Sequence, residues 1–173
     1  LFIMGDLRGS MVPPGNYTIV LCGPTDTIKA VAKVLANPKV PGTQEEFELQ
    51  SINLQEMETT IREMHKTISN RREWRNWLDG LLALYENSAE HEDMLKTARD
   101  IIAKINSWEE GLTQPAQQGT QDAIVFKHGR HSELLDLKTR TDAIDPRLTQ
   151  GTTDRFNDIR KIWYRKKPAN EAI

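Results

Sequence analysis

Cysteine is almost missing from this chain of 173 residues: Cys22 is the only one, so no internal disulfide can substitute for a hydrophobic core. That scarcity leaves the compartment open, because many proteins of oxidising spaces also lack disulfides. Aromatic residues are sparse at 6%, and no apolar run approaches the ~18–20 residues that span a bilayer as a helix. Neither sign of charge prevails. The chain has 23 Lys and Arg against 25 Asp and Glu, a formal net charge of −2, so no global field draws nucleic acid or an anionic membrane. The apolar start Leu1-Phe2-Ile3-Met4-Gly5 has no basic n-region and breaks at Gly5 and Asp6, so it does not read as a signal peptide.

Catalytic signatures are missing as well. There is no G-x-S-x-G, no P-loop and no dinucleotide-binding glycine fingerprint. Cys22 has no base beside it in sequence and reads as a small buried hydrophobe on a strand. Most Asp and Glu fall on the outer faces of predicted helices, and nothing pairs two of them for acid–base work. His128 and His131, with Glu133 nearby, have the spacing of two ligands on one helix face. Gly129 lies between them and no third ligand follows by spacing, so the expectation is a solvated helix start. His91-Glu92 opens like a zincin motif but fails at Leu95. No cofactor, metal or small-molecule substrate is expected.

What is present is helical patterning. Hydrophobic residues at 38% beside charged residues at 28% make a wet globule, but they suit long amphipathic helices with one buried stripe. The first 42 residues differ in texture. Pro13-Pro14-Gly15-Asn16 is turn chemistry, and Tyr17, Ile19 and Leu21 then alternate with Thr18, Val20 and Cys22 at the period of a strand. Gly23-Pro24-Thr25-Asp26 punctuates, and the β-branched run Thr27 to Leu35 reads as the hairpin partner. Two strands bury too little to stand alone, so the hairpin must lie on the helices, on another chain or on strands from residues 1–12.

Asn37 to Gly42, with two prolines, forms a connector. Thr43-Gln44-Glu45-Glu46 is a capping box, and the helix behind it places Leu54, Met57, Ile61, Met64 and Ile68 at steps of three and four. Near Ser69-Asn70-Arg71-Arg72 the seam loses register. Trp74, Trp77, Leu78, Leu81, Leu82 and Tyr85 then continue the helix or form a short separate one. Asn87-Ser88 offers the next cap, followed by an inward seam of Met94, Ala98, Ile101, Ile105, Trp108 and Leu112 that stops near Gly111. Gln114 to Gly119 reads as a polar loop, and Ile124-Val125-Phe126 as an anchor laid across the bundle. A third helix is expected from about Ser132 to before Asp145-Pro146, burying Leu134, Leu135 and Leu137. Thr152 or Thr153 caps a fourth, with Phe156, Ile159, Ile162 and Trp163 inward. Its basic end, Arg160 to Lys167, complements the helix dipole, and a loose tail follows Pro168.

The expected architecture is mainly α: an antiparallel bundle of three to four helices over 43–167, preceded by a hairpin unit at 1–42 and followed by a flexible tail at 168–173. Two groups are candidate partner surfaces. One is the strand row Tyr17, Ile19 and Leu21. The other is Arg71, Trp74, Arg75 and Trp77, a basic–aromatic mixture used by protein hot spots and by single-strand nucleic-acid grooves. Net acidity disfavours nucleic acid, and the plainer reading makes both tryptophans core with the arginines solvating the opposite face.

Read end to end, the motifs resemble a known family. Arg8-Gly9-Ser10-Met11-Val12-Pro13-Pro14-Gly15-Asn16-Tyr17-Thr18-Ile19-Val20-Leu21 is similar to the RG-x-x-VPPG-x-YTV-x-L stretch near the C-terminus of secreted bacterial BNR-repeat, sortilin-like β-propeller proteins. There it belongs to a late immunoglobulin-like sandwich, whose closing step resembles Val34-Leu35-Ala36-Asn37-Pro38, before a long helical region. Thr141-Asp142-Ala143-Ile144-Asp145-Pro146 resembles the link between that family's final helices. The propeller and most of the sandwich have no counterpart here, so the resemblance implies a C-terminal scaffold and not an active site. It further implies an extracytoplasmic location, with protein subunits as partners through the strand edge or helix packing and any membrane contact indirect. The resulting expectation is a non-catalytic structural or interaction subunit of a larger, membrane-associated assembly. The alternative is an accessory module of a BNR-type hydrolase acting on glycans or peptides.

Overall fold

The computed structural model describes residues 9–86, 88–114 and 129–167. It is mainly helical, with a two-stranded antiparallel hairpin at the start: β1 (Gly15–Cys22), β2 (Thr27–Val34), α1 (Gln44–Tyr85), a single 3-10 turn (Ala89–His91), α2 (Glu92–Glu110), α3 (Arg130–Thr141) and α4 (Gln150–Lys166). The bundle-plus-hairpin expectation is met.

α1 is the spine. Its N-terminus is closed by the capping box: the Glu46 amide donates to the Thr43 hydroxyl at 3.2 Å, and the Thr43 amide donates to the Glu46 carboxylate at 2.8 Å. No Gly or Pro interrupts residues 44–79, so the change of register near residue 70 rotates the buried row without breaking the helix. The helix therefore runs 42 residues, about 63 Å at the usual rise.

Its two halves carry different neighbours. α3 and α4 pack on the first half, and α2 folds back antiparallel along the second. Met57, Met64 and Ile68 of α1 meet Leu112, Leu134, Phe156, Ile159 and Trp163 in the larger core. The smaller core holds only Leu78, Ala98 and Ile105, with Leu82 and Ile102 half-buried beside them.

Polar pins fix the crossings. The buried Gln50 side chain donates to the carbonyls of Thr141 (2.8 Å) and Ala143 (2.9 Å), satisfying groups that the end of α3 leaves open. The Trp108 indole donates to the Lys166 carbonyl at 2.9 Å, locking the end of α2 to the end of α4. Gly129 starts the return of the chain: a Cβ there would sit 2.6 Å from the Leu112 carbonyl oxygen, and the His131 amide donates to that same oxygen at 3.0 Å.

Several boundaries differ from expectation. α3 begins at Arg130, not Ser132, and α4 is capped by Thr149, whose hydroxyl accepts from the Thr152 amide at 3.2 Å, not by Thr152 or Thr153. Ser88 precedes the 3-10 turn without a side-chain capping bond, and α2 starts only at Glu92. In α2, Met94 and Ile101 are exposed while Leu95, Ala98, Ile105 and Leu112 are buried. The reason is that α2 packs chiefly on α1 and meets α4 only at its end, so the buried arc ahead of Trp108 is narrow and excludes the near edge of the expected seam. The loop from 115, the Ile124-Val125-Phe126 anchor and the tail from Pro168 lie outside the described residues.

Candidate partner-binding surfaces

The hairpin register pairs Tyr17 with Ala32, Ile19 with Ala30 and Leu21 with Ile28, so these six side chains share one face. The opposite face holds Asn16 with Lys33, Thr18 with Val31, and Val20 with Lys29. One face is thus wholly apolar and the other mixed, the division found in one layer of a sandwich. Toward the turn the apolar side is uncovered, with Ile19 58% exposed, Leu21 67% and Ile28 64%, while Ala32 nearer the base is half-buried. Tyr17 is half-buried, its hydroxyl donating to the Pro13 carbonyl at 2.6 Å. Cys22 is exposed, which corrects its reading as a buried hydrophobe, because the ribbon has no second layer here.

Among the described residues, the hairpin is tied down at its base. Ser10 donates to Glu58, the Met11 amide donates to Asp142 at 3.0 Å, and Gln44 donates to the Pro14 carbonyl at 2.9 Å. The Ser10 hydrogen bond, aided by the Lys138 charge, holds the Glu58 carboxyl below its ordinary pKa. Beyond that base, β1 and β2 pack chiefly on one another.

The basic–aromatic group is arranged opposite to the plainer expectation. Trp74 is 53% exposed and Trp77 66%, while the arginines turn inward. Arg72 Nε donates to Glu109 Oε1 at 2.8 Å, a second guanidinium nitrogen reaches the same oxygen, and Arg75 approaches Glu109 Oε2 at 3.7 Å. The Arg71 guanidinium lies 4.4 Å from the Trp108 ring centroid, within cation–π range. The cause is Glu109 itself. It is buried on α2, where an ionised carboxylate is tolerated only with cations in contact, and the arginines of α1 are the ones within reach. Sequence carries little sign of this, since Glu109 sits 37 residues from Arg72.

With the arginines inward, Trp74, Trp77 and Leu84 are exposed along the edge of α1, with the half-buried Leu81 between them, again at steps of three and four. Trp77 and Leu81 face Met94, Ala98 and Ile101 of α2 across an open apolar groove. Asp93 lines its upper end.

The histidines do not form a metal centre among the described residues, where no group of three or more His, Cys, Asp or Glu is placed to hold an ion. His128 lies outside them. His131 stacks on His65 with centroids 4.3 Å apart, and its Nε2 is buried without a hydrogen-bond partner. Burial first, then the His65 and Arg72 charges, push its pKa down to about 4. The basic end of α4 is engaged internally in part: Arg160 pairs with Glu56 at 2.9 Å, Lys167 with Glu63 at 2.9 Å, and Lys166 donates to the Trp108 carbonyl at 3.3 Å. The Lys167 bond holds the Glu63 carboxyl below its ordinary pKa, with help from the Trp163 indole. Among the described residues no helix is long and apolar enough to cross a membrane.

In comparisons with known proteins, no family model matches this chain, and neither a curated protein nor a solved structure does.

Proposed function

We propose that this chain is a non-catalytic structural or interaction subunit that lends its hairpin, as part of a β-sandwich, to a larger extracytoplasmic and membrane-associated protein assembly. The observation that carries the reading is the one-sided apolar face of Tyr17, Ile19, Leu21 and Ile28. A two-stranded ribbon is marginal by itself, and its outer edges offer unpaired amide and carbonyl groups. A covering sheet that buried Ile19, Leu21 and Ile28 would contribute about 1.5–3 kcal/mol for each side chain fully removed from water. Lys29 and Lys33 on the mixed face keep the other side wet, so the face to be covered is defined.

The resemblance of residues 8–21 and 34–38 to the sandwich end of secreted BNR-repeat proteins supports the same reading, and it is the ground for the extracytoplasmic location. Partners are protein subunits, joined through the sheet and through helix packing. Membrane contact is indirect, and no nucleic acid, cofactor or small-molecule substrate is involved.

The test is cross-linked purification of the tagged full chain from its native cells, beside an Ile19→Glu/Leu21→Glu variant. The wild type should retain a stoichiometric protein subunit that the variant loses while keeping its helical circular dichroism. A wild-type chain recovered as a monomer without such a subunit would overturn the proposal. Recovery of a propeller-bearing hydrolase would reassign the chain as that enzyme's accessory module.

A further inference from the structure

Among the described residues, the first half of α1 is covered by α3 and α4, and the second half chiefly by α2. One side of that helix pair is therefore an open seam, with Trp74, Trp77, Leu81 and Leu84 along α1 and Met94 and Ile101 along α2. Exposed tryptophan, leucine and isoleucine in one continuous strip are what a packed helix would cover. From Trp74 to Leu84 the strip is about 15 Å long, the rise of ten helical residues. It matches three turns of a docked helix that presents apolar side chains at positions i, i+3, i+4 and i+7.

The rim of the seam selects the charge of that helix. Asp93 lines the groove, and Asp100 follows two turns later on the same edge of α2. Glu90 precedes Asp93 by three residues, and Glu73 precedes Trp77 by four on α1. Lys96, between Asp93 and Asp100, and Lys104, four residues after Asp100, are the cations on that edge; all six of these charged residues are exposed, and four acids against two cations leave the rim net acidic. Arg72 and Arg75 do not neutralise the rim, because both are turned inward to Glu109. A second copy laid on this strip would set one net acidic rim against another, which disfavours it.

We infer that the groove between the second half of α1 and α2 is the seat of a basic amphipathic helix of about three turns, supplied by a protein partner, with its apolar stripe on Trp77, Leu81 and Ile101 and its Lys or Arg flanks against Glu73, Asp93 and Asp100. This second docking surface rests on the reading of the chain as an interaction subunit, but it does not use the hairpin.

The experiment titrates the full chain with two synthetic helical peptides of about fourteen residues that share one Leu/Trp stripe. One carries Lys on both flanks of the stripe and the other carries Glu. Binding is read by calorimetry, and the oligomeric state by sedimentation. The basic peptide should bind, and Trp77→Ala or Asp93→Lys/Asp100→Lys should each weaken it about tenfold or more. Raising the salt should weaken the wild-type complex further. Because these residues are exposed, the variants should keep the wild-type circular dichroism. Equal or tighter binding of the acidic peptide, or no binding of either, would overturn the inference. So would a wild-type dimer abolished by Trp77→Ala, which would give the groove to a second copy. Repeating the titration with Ile19→Glu/Leu21→Glu separates the two readings: unchanged peptide binding there leaves the groove standing whatever becomes of the hairpin.

Discussion

Among the described residues, α1 is flanked by α3 and α4 along its first half and chiefly by α2 along its second. Residue types do not explain the contrast, because both halves present large apolar side chains at steps of three and four. In the first half Met57, Met64 and Ile68 meet Phe156, Ile159 and Trp163 and are sealed. In the second, Trp74, Trp77 and Leu84 have the same spacing and remain in water. What differs is the supply of neighbours. A helix buries as much of its circumference as other elements cover, and one antiparallel partner covers only a narrow arc. The first half therefore seals a continuous seam, with Leu49 and Ile52 left outside it, whereas the second leaves Trp74, Trp77 and Leu84 open.

The largest effect should come from the sealed half. Trp163 is fully buried where α4 meets α1, and Trp163→Ala should cost about 3–5 kcal/mol in urea unfolding. Leu78→Ala, in the smaller core, should cost about 2 kcal/mol, the low end for such truncations, because that core can collapse toward solvent. Amide exchange sharpens the contrast. Leu78→Ala should speed exchange in α2 far more than in α4, whereas Trp163→Ala should loosen the whole bundle. Equal loss of protection in both helices from either substitution would show a single cooperative unit and erase the distinction.

A smaller effect tests the junction between the halves. His131 stacks on His65 of α1, and its amide is bound to the Leu112 carbonyl at the end of α2. Its pKa is about 4 in the fold, against 6.5 for the free side chain. As pH falls below about 6.5 the unfolded chain takes up a proton that the native chain refuses until about pH 4, so stability is complete above that window and declines through it. The decline should reach about 2 kcal/mol by pH 5. Glu58 and Glu63, whose pKa values are lowered, contribute stability that is lost only at lower pH, as those carboxylates protonate. Urea midpoints measured from pH 7.5 to 5 should therefore fall for the wild type and stay level for His131→Phe. A wild-type midpoint that did not move would mean that His131 titrates as if in water.

How much of this was legible in the residues depends on the range of the interaction. The Thr43 capping box, the seam from Leu54 to Ile68 and the alternation of Tyr17, Ile19 and Leu21 are local, and each led to the right element. The candidate rows Tyr17-Ile19-Leu21 and Trp74-Trp77 also carry large apolar side chains that the described chain leaves wholly or partly uncovered. What local pattern could not carry was the inward turn of Arg72 and Arg75, which Glu109 compels from another helix. Nor could it show that α2 meets α4 only at its far end, which decides that Met94 and Ile101 stay wet. The close crossing at Gly129 is likewise set by the distant Leu112 and Thr113 backbone, and a lone glycine before a helix does not announce it.

The smallest effect bears on the open half directly. Gly80 lies inside α1 between Trp77 and Leu84, and a Cβ there would meet nothing within 4 Å. Glycine at an exposed interior helix position costs about 0.5–1 kcal/mol relative to alanine, so Gly80→Ala should stabilise the free chain by that amount. Where the gain is registered matters more than its size. If the second half opens by itself, the substitution should slow amide exchange across residues 74–85 and leave the global urea midpoint almost unmoved, because the extra stability belongs to a unit already lost before the main transition. If the halves unfold together, the whole increment should appear in the midpoint, and exchange in α4 should slow as much as exchange around Gly80. The first outcome would make the second half of α1 a semi-independent arm, free to order on a partner. The second would make the contrast between the halves one of coverage and not of cooperativity.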